Sequence, residues 1–130
     1  MNTQVIHEVT VATQEGKITF PQAVGKLLEL GVESYYVDLI VGRKTYYLTS
    51  GETAAEPMIL KLDAVAEEFS ATDLVTAIRS AQADTVRYPE FVKCSTAAGV
   101  AGYHAFLTGR QVLYFGRKGE IHIEKFPGAK

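Results

Sequence analysis

An internal repeat is the feature that most limits what this chain can fold into. When the sequence is compared with itself at an offset of 68 residues, glycines, prolines and tyrosines coincide in order. The comparison needs one single-residue deletion that is later reversed, and the identical pairs include Pro21 with Pro89, Gly31 with Gly99, Tyr35 with Tyr103, Tyr47 with Tyr114 and Gly51 with Gly119. We interpret residues 3–52 and 71–120 as a duplicated unit whose copies fold alike. The alternative is two unrelated units that use the same turn chemistry.

The length and composition indicate one domain over residues 1–130, with a connector over 53–70 and a C-terminal strand over 120–126. A chain that is 47% hydrophobic and 22% charged has enough apolar side chains for one core. The formal net charge of -2 gives no general attraction to nucleic acid or to an anionic membrane surface. We therefore expect neither kind of partner.

Cysteine usage and the N-terminal residues indicate a cytoplasmic location. The chain has one cysteine, Cys94, so it has no internal disulfide. Residues 1–9 lack the basic and apolar pattern of a secretory signal, and no apolar run is long enough to span a bilayer. Small and apolar residues surround Cys94, so we expect it to be buried in a helix.

Two helices are predicted in each copy. Apolar residues over 73–82 recur at helical spacing and Ser70 is placed to cap that helix, so its partner segment, 3–14, is also predicted to be helical. The second helix of each copy begins at a proline, Pro21 or Pro89, and ends before Gly31 or Gly99.

Strands follow the helices in each copy. The first copy has strands over 35–41 and 44–49, joined by a two-residue type II′ turn at Gly42-Arg43, and the second has strands over 103–107, 111–115 and 120–126. A third strand of the first copy is predicted over 58–62, with Pro57 at its start, followed by a short helix over 63–69. We expect an α+β protein, an internal duplication of a helix-helix-β-hairpin unit, with one antiparallel sheet and the helices packed on one face. The alternative is two separate sheets.

A row of polar residues on the C-terminal strands is the candidate site. Glu120, His122 and Glu124 alternate with Ile121 and Ile123, so the three polar side chains share one face. The candidate residues are His104, Tyr114, Arg117, Glu120, His122 and Glu124. His104 and His122 are the candidate metal ligands if their strands are neighbours, although any half-exposed strand shows the same alternation. No cofactor is predicted apart from a divalent metal in this interpretation.

Two further features concern buried groups. Asp38 interrupts an apolar strand and is the candidate buried charge. Alternation places Tyr35 and Tyr36 on opposite faces, and likewise Tyr46 and Tyr47, so one tyrosine of each pair packs in the core. The other decorates the outer sheet face, which we expect to form a subunit interface or a ligand groove.

Several motifs resemble a family of small bacterial proteins of unknown function, sometimes labelled "phage envelope protein". They are Gly-Val-x-x-Tyr-x-Val-Asp (31–38), Ala-Ile-Arg-x-x-Gln (77–82), Ala-Gly-Val-x-Gly-Tyr (98–103) and Gly-Arg-x-Val-x-Tyr-x-Gly-Arg-x-Gly-Glu-x-His-x-Glu-x-Phe-Pro (109–127). The resemblance covers nearly the whole chain and implies no established activity. The phage label implies a virion component.

The leading functional hypothesis is a non-catalytic module that binds a small molecule or a protein and forms a homodimer. The alternative is a small metal-binding protein or enzyme that uses the His/Glu cluster, with Arg117 holding an anion. This alternative requires His104 and His122 to lie on the same face of the sheet.

Overall fold

A computed structural model describes residues 2–127; Met1 and residues 128–130, which the predicted domain includes, lie outside the described residues. Two helices followed by three strands occur twice along the chain. The elements are α1 (Thr3–Gln14), α2 (Phe20–Glu29), β1 (Val32–Asp38), β2 (Arg43–Leu48), β3 (Thr53–Pro57), α3 (Ala71–Gln82), α4 (Tyr88–Ala97), β4 (Val100–Phe106), β5 (Gln111–Gly116) and β6 (Ile121–Lys125). The predicted α+β class is confirmed.

The helices begin and end close to the residues that the sequence marks, although α2 and α4 start one residue before the predicted Pro21 and Pro89. Ser70 caps α3 by accepting a hydrogen bond from the backbone N–H of Asp73. Thr19 and Gln22 form a reciprocal capping box at the start of α2. The helix predicted over 3–14 from its partner segment is present as α1.

Within residues 2–127, the six strands form one antiparallel sheet in the order β3-β2-β1-β4-β5-β6. The two halves meet at its centre, where β1 pairs with β4 from Ser34 opposite Phe106 to Asp38 opposite Gly102. The alternative of two separate sheets is therefore wrong.

The sheet has one covered face and one open face. The covered face, called the inner face, carries the buried strand residues, and all four helices pack on it through Val9, Ala23, Leu27, Ile78 and Phe91. The register places Tyr35 and Tyr46 on the inner face and Tyr36 and Tyr47 on the outer face. The predicted division of the paired tyrosines is confirmed.

Corresponding elements of the two halves are related by one constant offset. Each helix and strand of the second half begins and ends 68 residues after its counterpart, from α1 with α3 to β3 with β6. Residues with left-handed backbone pair at the same offset: Gly16 with Asp84, Gly31 with Gly99, Gly42 with Arg110, and Gly51 with Gly119.

The single-residue deletion in the predicted alignment is wrong. It matched the Gly-Arg dipeptides at 42–43 and 109–110, but the left-handed position is the glycine in the first loop and the arginine, Arg110, in the second. Tyr46 therefore takes the place of Tyr114, and Tyr47 that of Phe115.

The predicted two-residue turn at Gly42-Arg43 is also wrong. Four residues, Leu39 to Gly42, separate β1 from β2. The Asp38 carboxylate accepts hydrogen bonds from the backbone N–H groups of Ile40 and Val41, both at 2.9 Å, and this stabilises a wider loop.

The third strand of the first half lies earlier than predicted. It is Thr53–Pro57, so Pro57 ends the strand, and residues 58–62 form no strand. The buried Gln14 side chain accepts hydrogen bonds from the backbone N–H groups of Ile59 (2.5 Å) and Leu60 (3.1 Å), which holds this segment against α1. Residues 63–69 contain no helix.

Two further observations concern the helices. Cys94 is exposed, contrary to the prediction, because Ser95 and Thr96 occupy the buried side of α4 and bond back to the carbonyls of Phe91 and Val92. None of the helices within residues 2–127 is long and apolar enough to cross a membrane.

Candidate functional site

A cavity of about 190 Å³ lies between the helices and the inner face of the sheet. Five tyrosines line it, together with residues from all four helices. We call it the tyrosine cavity and define it by Tyr35, Tyr46, Tyr88, Tyr103 and Tyr114 with Lys44. Exposed side chains such as Phe20, Gln82 and Lys125 also line it, so the cavity reaches the surface. Both halves of the chain are needed to build it.

Lys44 is a buried amine on the wall of this cavity. Alternation along β2 places it on the inner face, where only 3% of the residue is exposed. Nζ lies 4.3 Å from the centre of the Tyr88 ring and 5.7 Å from that of Tyr35, so two ring faces contact the amine. Burial lowers the pKa of Lys44 to about 7.

No carboxylate within residues 2–127 pairs with the Lys44 amine, and no described group forms a hydrogen bond with it. Its cross-strand neighbour Glu56 instead contacts His7 of α1, at 2.6 Å. The two carboxylates that line the cavity are also engaged, Asp84 with Arg87 and Glu124 with Arg79. Among the residues that the structure describes, Lys44 is therefore the buried basic group that the cavity offers without an ion-pair partner, in a largely apolar space.

The tyrosines form a packed cluster of neutral phenols. The Tyr88 and Tyr103 hydroxyls lie 2.7 Å apart, and the Tyr46 hydroxyl lies 2.6 Å from Thr10 Oγ1. Burial raises the pKa of Tyr46 to about 12 and also raises the pKa values of the other four. At neutral pH the cluster supplies hydroxyl groups and ring faces but no negative charge.

Part of the predicted site comes together beside this cavity. Tyr114 lies opposite His122 in the register, and His122 Nε2 donates to Glu124 Oε1 at 3.2 Å. Arg79 donates to the other Glu124 oxygen at 2.7 Å. Burial favours a higher pKa for Glu124, but the hydrogen bonds and charges of Arg79 and His122 outweigh it and lower this pKa.

His104 does not join them. It lies opposite Leu113 and points to the outer face, whereas His122 lies opposite Tyr114 and points inward. The predicted approach of the two histidines is therefore wrong, because Leu113 and Tyr114 are consecutive and face opposite ways. Within residues 2–127, no group of three His, Cys, Asp or Glu side chains is arranged to hold a metal ion.

His104 is instead part of an aromatic stack on the outer face. Its ring lies 4.1 Å from that of Phe106 and 5.7 Å from that of Tyr47, and Nε2 lies 3.2 Å from Ser34 Oγ. Burial lowers the pKa of His104. The imidazole is therefore held mainly in its neutral form at neutral pH.

Three other predicted residues have local structural contacts. Arg117 lies in the β5–β6 loop and contacts the carbonyl of Val65 at 3.4 Å. Glu120, in the same loop, accepts from the backbone N–H of Lys118 at 2.9 Å. Asp38, the predicted buried charge, is half-buried and stabilises its loop.

Lys44 was not among the predicted site residues. Its signal is its position: Lys44, Tyr46 and Leu48 alternate on one face of β2, so a lysine shares a face with two core residues. At the constant offset of 68 its counterpart is Val112, a buried apolar residue.

These features define a small α+β protein with an apolar, lysine-containing cavity. The chain belongs to the family described as "Protein of unknown function (DUF1398)", which matches residues 19–125. It is 31% identical over 109 residues to an uncharacterized protein of Mycobacterium bovis and to uncharacterized proteins of two Mycobacterium tuberculosis strains. The match covers 82% of this chain and 66% of each relative, so the chain spans just under two thirds of their length. Neither the family description nor the names of these relatives mentions a phage.

Proposed function

We propose that this protein is a non-catalytic module that binds a small, largely apolar molecule in the tyrosine cavity. The observation that carries the proposal is the buried Lys44 amine, which faces the cavity without an ion-pair partner among residues 2–127. Desolvation of the Lys44 amine at the cavity wall is costly for the folded state, and a ligand with a polar oxygen beside it offsets part of that cost.

The size of the cavity limits the ligand to roughly one ring with a short polar substituent. An apolar cavity of roughly 150 Å³ accommodates benzene, and the tyrosine cavity has about 190 Å³. Ring faces and aliphatic side chains supply the contacts for the apolar part. Lys44 and the Tyr88–Tyr103 hydroxyl pair lie where a polar substituent would bind.

Titration with benzyl alcohol, followed by amide NMR shifts, tests this proposal. We expect saturable shifts at residues that line the cavity, such as Tyr35, Tyr103 and Val112. Ala81→Phe places a ring in the cavity and should weaken binding, whereas Ala71→Phe, at an exposed position of the same helix, should not. Absence of saturable shifts in the wild type, or equal effects of the two variants, would contradict the proposal.

We also propose a homodimer formed through the outer sheet face. Its apolar patch consists of the cross-strand pairs Leu113–Ile123 and Phe115–Ile121, and 53% of each isoleucine is exposed. A second copy is the occupant we infer, because burying exposed apolar area drives association.

Light scattering after size-exclusion chromatography tests this assembly. Ile123→Lys should convert dimer to monomer, and Ile59→Lys should leave the dimer intact, since Ile59 is 55% exposed but lies in the loop after β3. A wild-type monomer at all concentrations would refute the homodimer.

The remaining inferences concern origin and location. The constant offset of 68 residues in elements and in left-handed positions supports an origin by duplication. The single cysteine supports a cytoplasmic location.

A further inference from the structure

We propose that Lys44 takes its ligand as a Schiff base, so that the ligand class is a small apolar aldehyde or ketone. This inference rests on the proposed function, because a carbonyl compound must first occupy the tyrosine cavity. It adds a covalent, reversible step that binding alone does not require.

The geometry around Nζ favours a nucleophilic amine. The nitrogen faces the cavity, contacts the Tyr88 and Tyr35 rings, and has no hydrogen bond within the described part of the chain. Desolvation in an apolar pocket is one of the ways in which proteins activate lysine toward carbonyl carbons. With the pKa of Lys44 near 7, a large fraction of the amine is neutral at neutral pH.

The charges around the cavity favour a carbonyl over an acid. Binding a carboxylate would require a protonated Lys44 and would bury an ion pair, whose desolvation offsets much of the attraction. The lining carboxylates Asp84 and Glu124 already pair with arginines. An imine carries no obligatory charge, so it removes the buried ammonium without adding an anion.

The reaction is balanced without an oxidant or reductant. Nζ attacks the carbonyl carbon, and the carbonyl oxygen takes a proton to give a carbinolamine. The C–O bond then breaks, the oxygen leaves as water with both amine hydrogens, and a C=N bond remains. The Tyr88 and Tyr103 hydroxyls, 2.7 Å apart on the cavity wall, can relay a proton from the amine nitrogen to the departing oxygen, each hydroxyl taking up one proton as it gives up another, so that no phenolate is left.

Reductive trapping with benzaldehyde tests the inference. The whole protein is incubated with benzaldehyde, treated with sodium borohydride, and mapped by peptide mass spectrometry for benzylated lysines. We expect Lys44 to be modified about tenfold or more over the exposed Lys93, because water stabilises the ammonium form of an exposed amine and burial in the cavity disfavours it.

Three variants control the experiment. Lys44→Met should remove the preferred adduct, and Lys93→Met should leave it unchanged. Ala81→Phe keeps Lys44 but fills the cavity, so it should lower trapping at Lys44. Circular dichroism establishes that each variant is folded, and the wild-type peptide map locates the adduct even where a variant does not fold.

The outcomes separate this inference from the proposed function. Preferential trapping at Lys44 supports both. If benzyl alcohol gives saturable NMR shifts but Lys44 is trapped no more than Lys93, the Schiff base is overturned and the binding module stands. If neither benzyl alcohol binding nor trapping is observed, both are overturned.

Discussion

Lys44 reduces the stability of the folded protein in a pH-dependent way. Its pKa falls from 10.5 to about 7 on folding because burial disfavours the ammonium. Between these values the unfolded chain binds a proton that the folded chain does not, so stability rises with pH. The cavity wall around the amine contributes tyrosines, and the nearest strand carboxylate, Glu56, is engaged by His7.

Replacing Lys44 with methionine should therefore stabilise the protein and remove this pH dependence. Relative to Lys44→Met, the wild type should gain about 1.2 kcal/mol per pH unit on average between about pH 7 and pH 10. Urea unfolding at pH 7 and pH 9 measures the difference. If the free energy of unfolding changed equally in the two proteins between pH 7 and pH 9, the Lys44 amine would not be desolvated.

Single residues were the hardest features to predict. Asp38 interrupts an apolar run, yet its carboxylate satisfies backbone N–H groups of the next loop. Lys44 stands in a run that looks half-polar, yet its alternation with Tyr46 and Leu48 buries it. Asp38 was predicted to be the buried charge, but Lys44 is the more deeply buried of the two. Burial depends on which face of the strand a side chain occupies and on tertiary packing.

At the scale of elements, local signals were sufficient wherever a cap or a glycine sets the boundary. Prolines in the first turn and glycines after the last turn allowed the ends of α2 and α4 to be predicted to within about two residues. Strand β3 was misplaced because its short Thr53–Pro57 segment has little β propensity, and the more apolar segment after it is bound by Gln14 instead. The hydrogen bonds between Gln14 and this segment join residues that are far apart in the sequence, so no local sequence pattern predicts them.

The glycines that end α2 and α4 should differ in their tolerance of alanine. Gly31 and Gly99 both have left-handed backbone (φ of +84° and +88°), so each substitution costs about 1–2 kcal/mol. A Cβ at Gly31 would make only an ordinary contact with Thr49 Oγ1, 3.9 Å away, whereas one at Gly99 would collide with the backbone of Glu68 and Phe69. Thermal unfolding should show a markedly larger loss of stability for Gly99→Ala; equal losses would mean that the 68–69 backbone yields freely.

At the scale of the whole molecule, the tyrosine cluster should make the fold sensitive to alkali. The pKa of Tyr46 is raised to about 12, so above pH 10 the unfolded chain loses a proton that the folded chain retains, and stability falls as pH rises. Tyr46→Phe should lose about 1 kcal/mol less than the wild type between pH 10 and pH 11, because the unfolded phenol is only half ionised at pH 10.

Chemical unfolding at the two pH values, with Tyr47→Phe of the outer face as the matched control, measures this effect. The Tyr47 variant should follow the wild type. If Tyr46→Phe also followed the wild type, the Tyr46 phenol of the wild type would be able to ionise in the folded protein.

The sheet and its covered face were predictable at this scale, but the cavity was not. The repeat and the strand alternation led to one sheet with helices on one side. The position of the cavity depends on how four helices leave space over five tyrosines, and that packing follows from side-chain volumes rather than periodicity. The polar pattern of the strands therefore suggested His104 and His122 as site residues. It did not indicate that Lys44 faces a cavity.

The central pairing of β1 with β4 makes the chain separable in principle into two complementary pieces. Residues 58–69 contain neither helix nor strand, so a cut there leaves five elements on each side. One piece would carry Lys44 and the other Tyr88, so neither would hold the cavity alone. A ligand that binds only the reunited cavity shifts the equilibrium between pieces and complex by mass action. Ligand binding to the cleaved protein would therefore be detected as association of its two pieces.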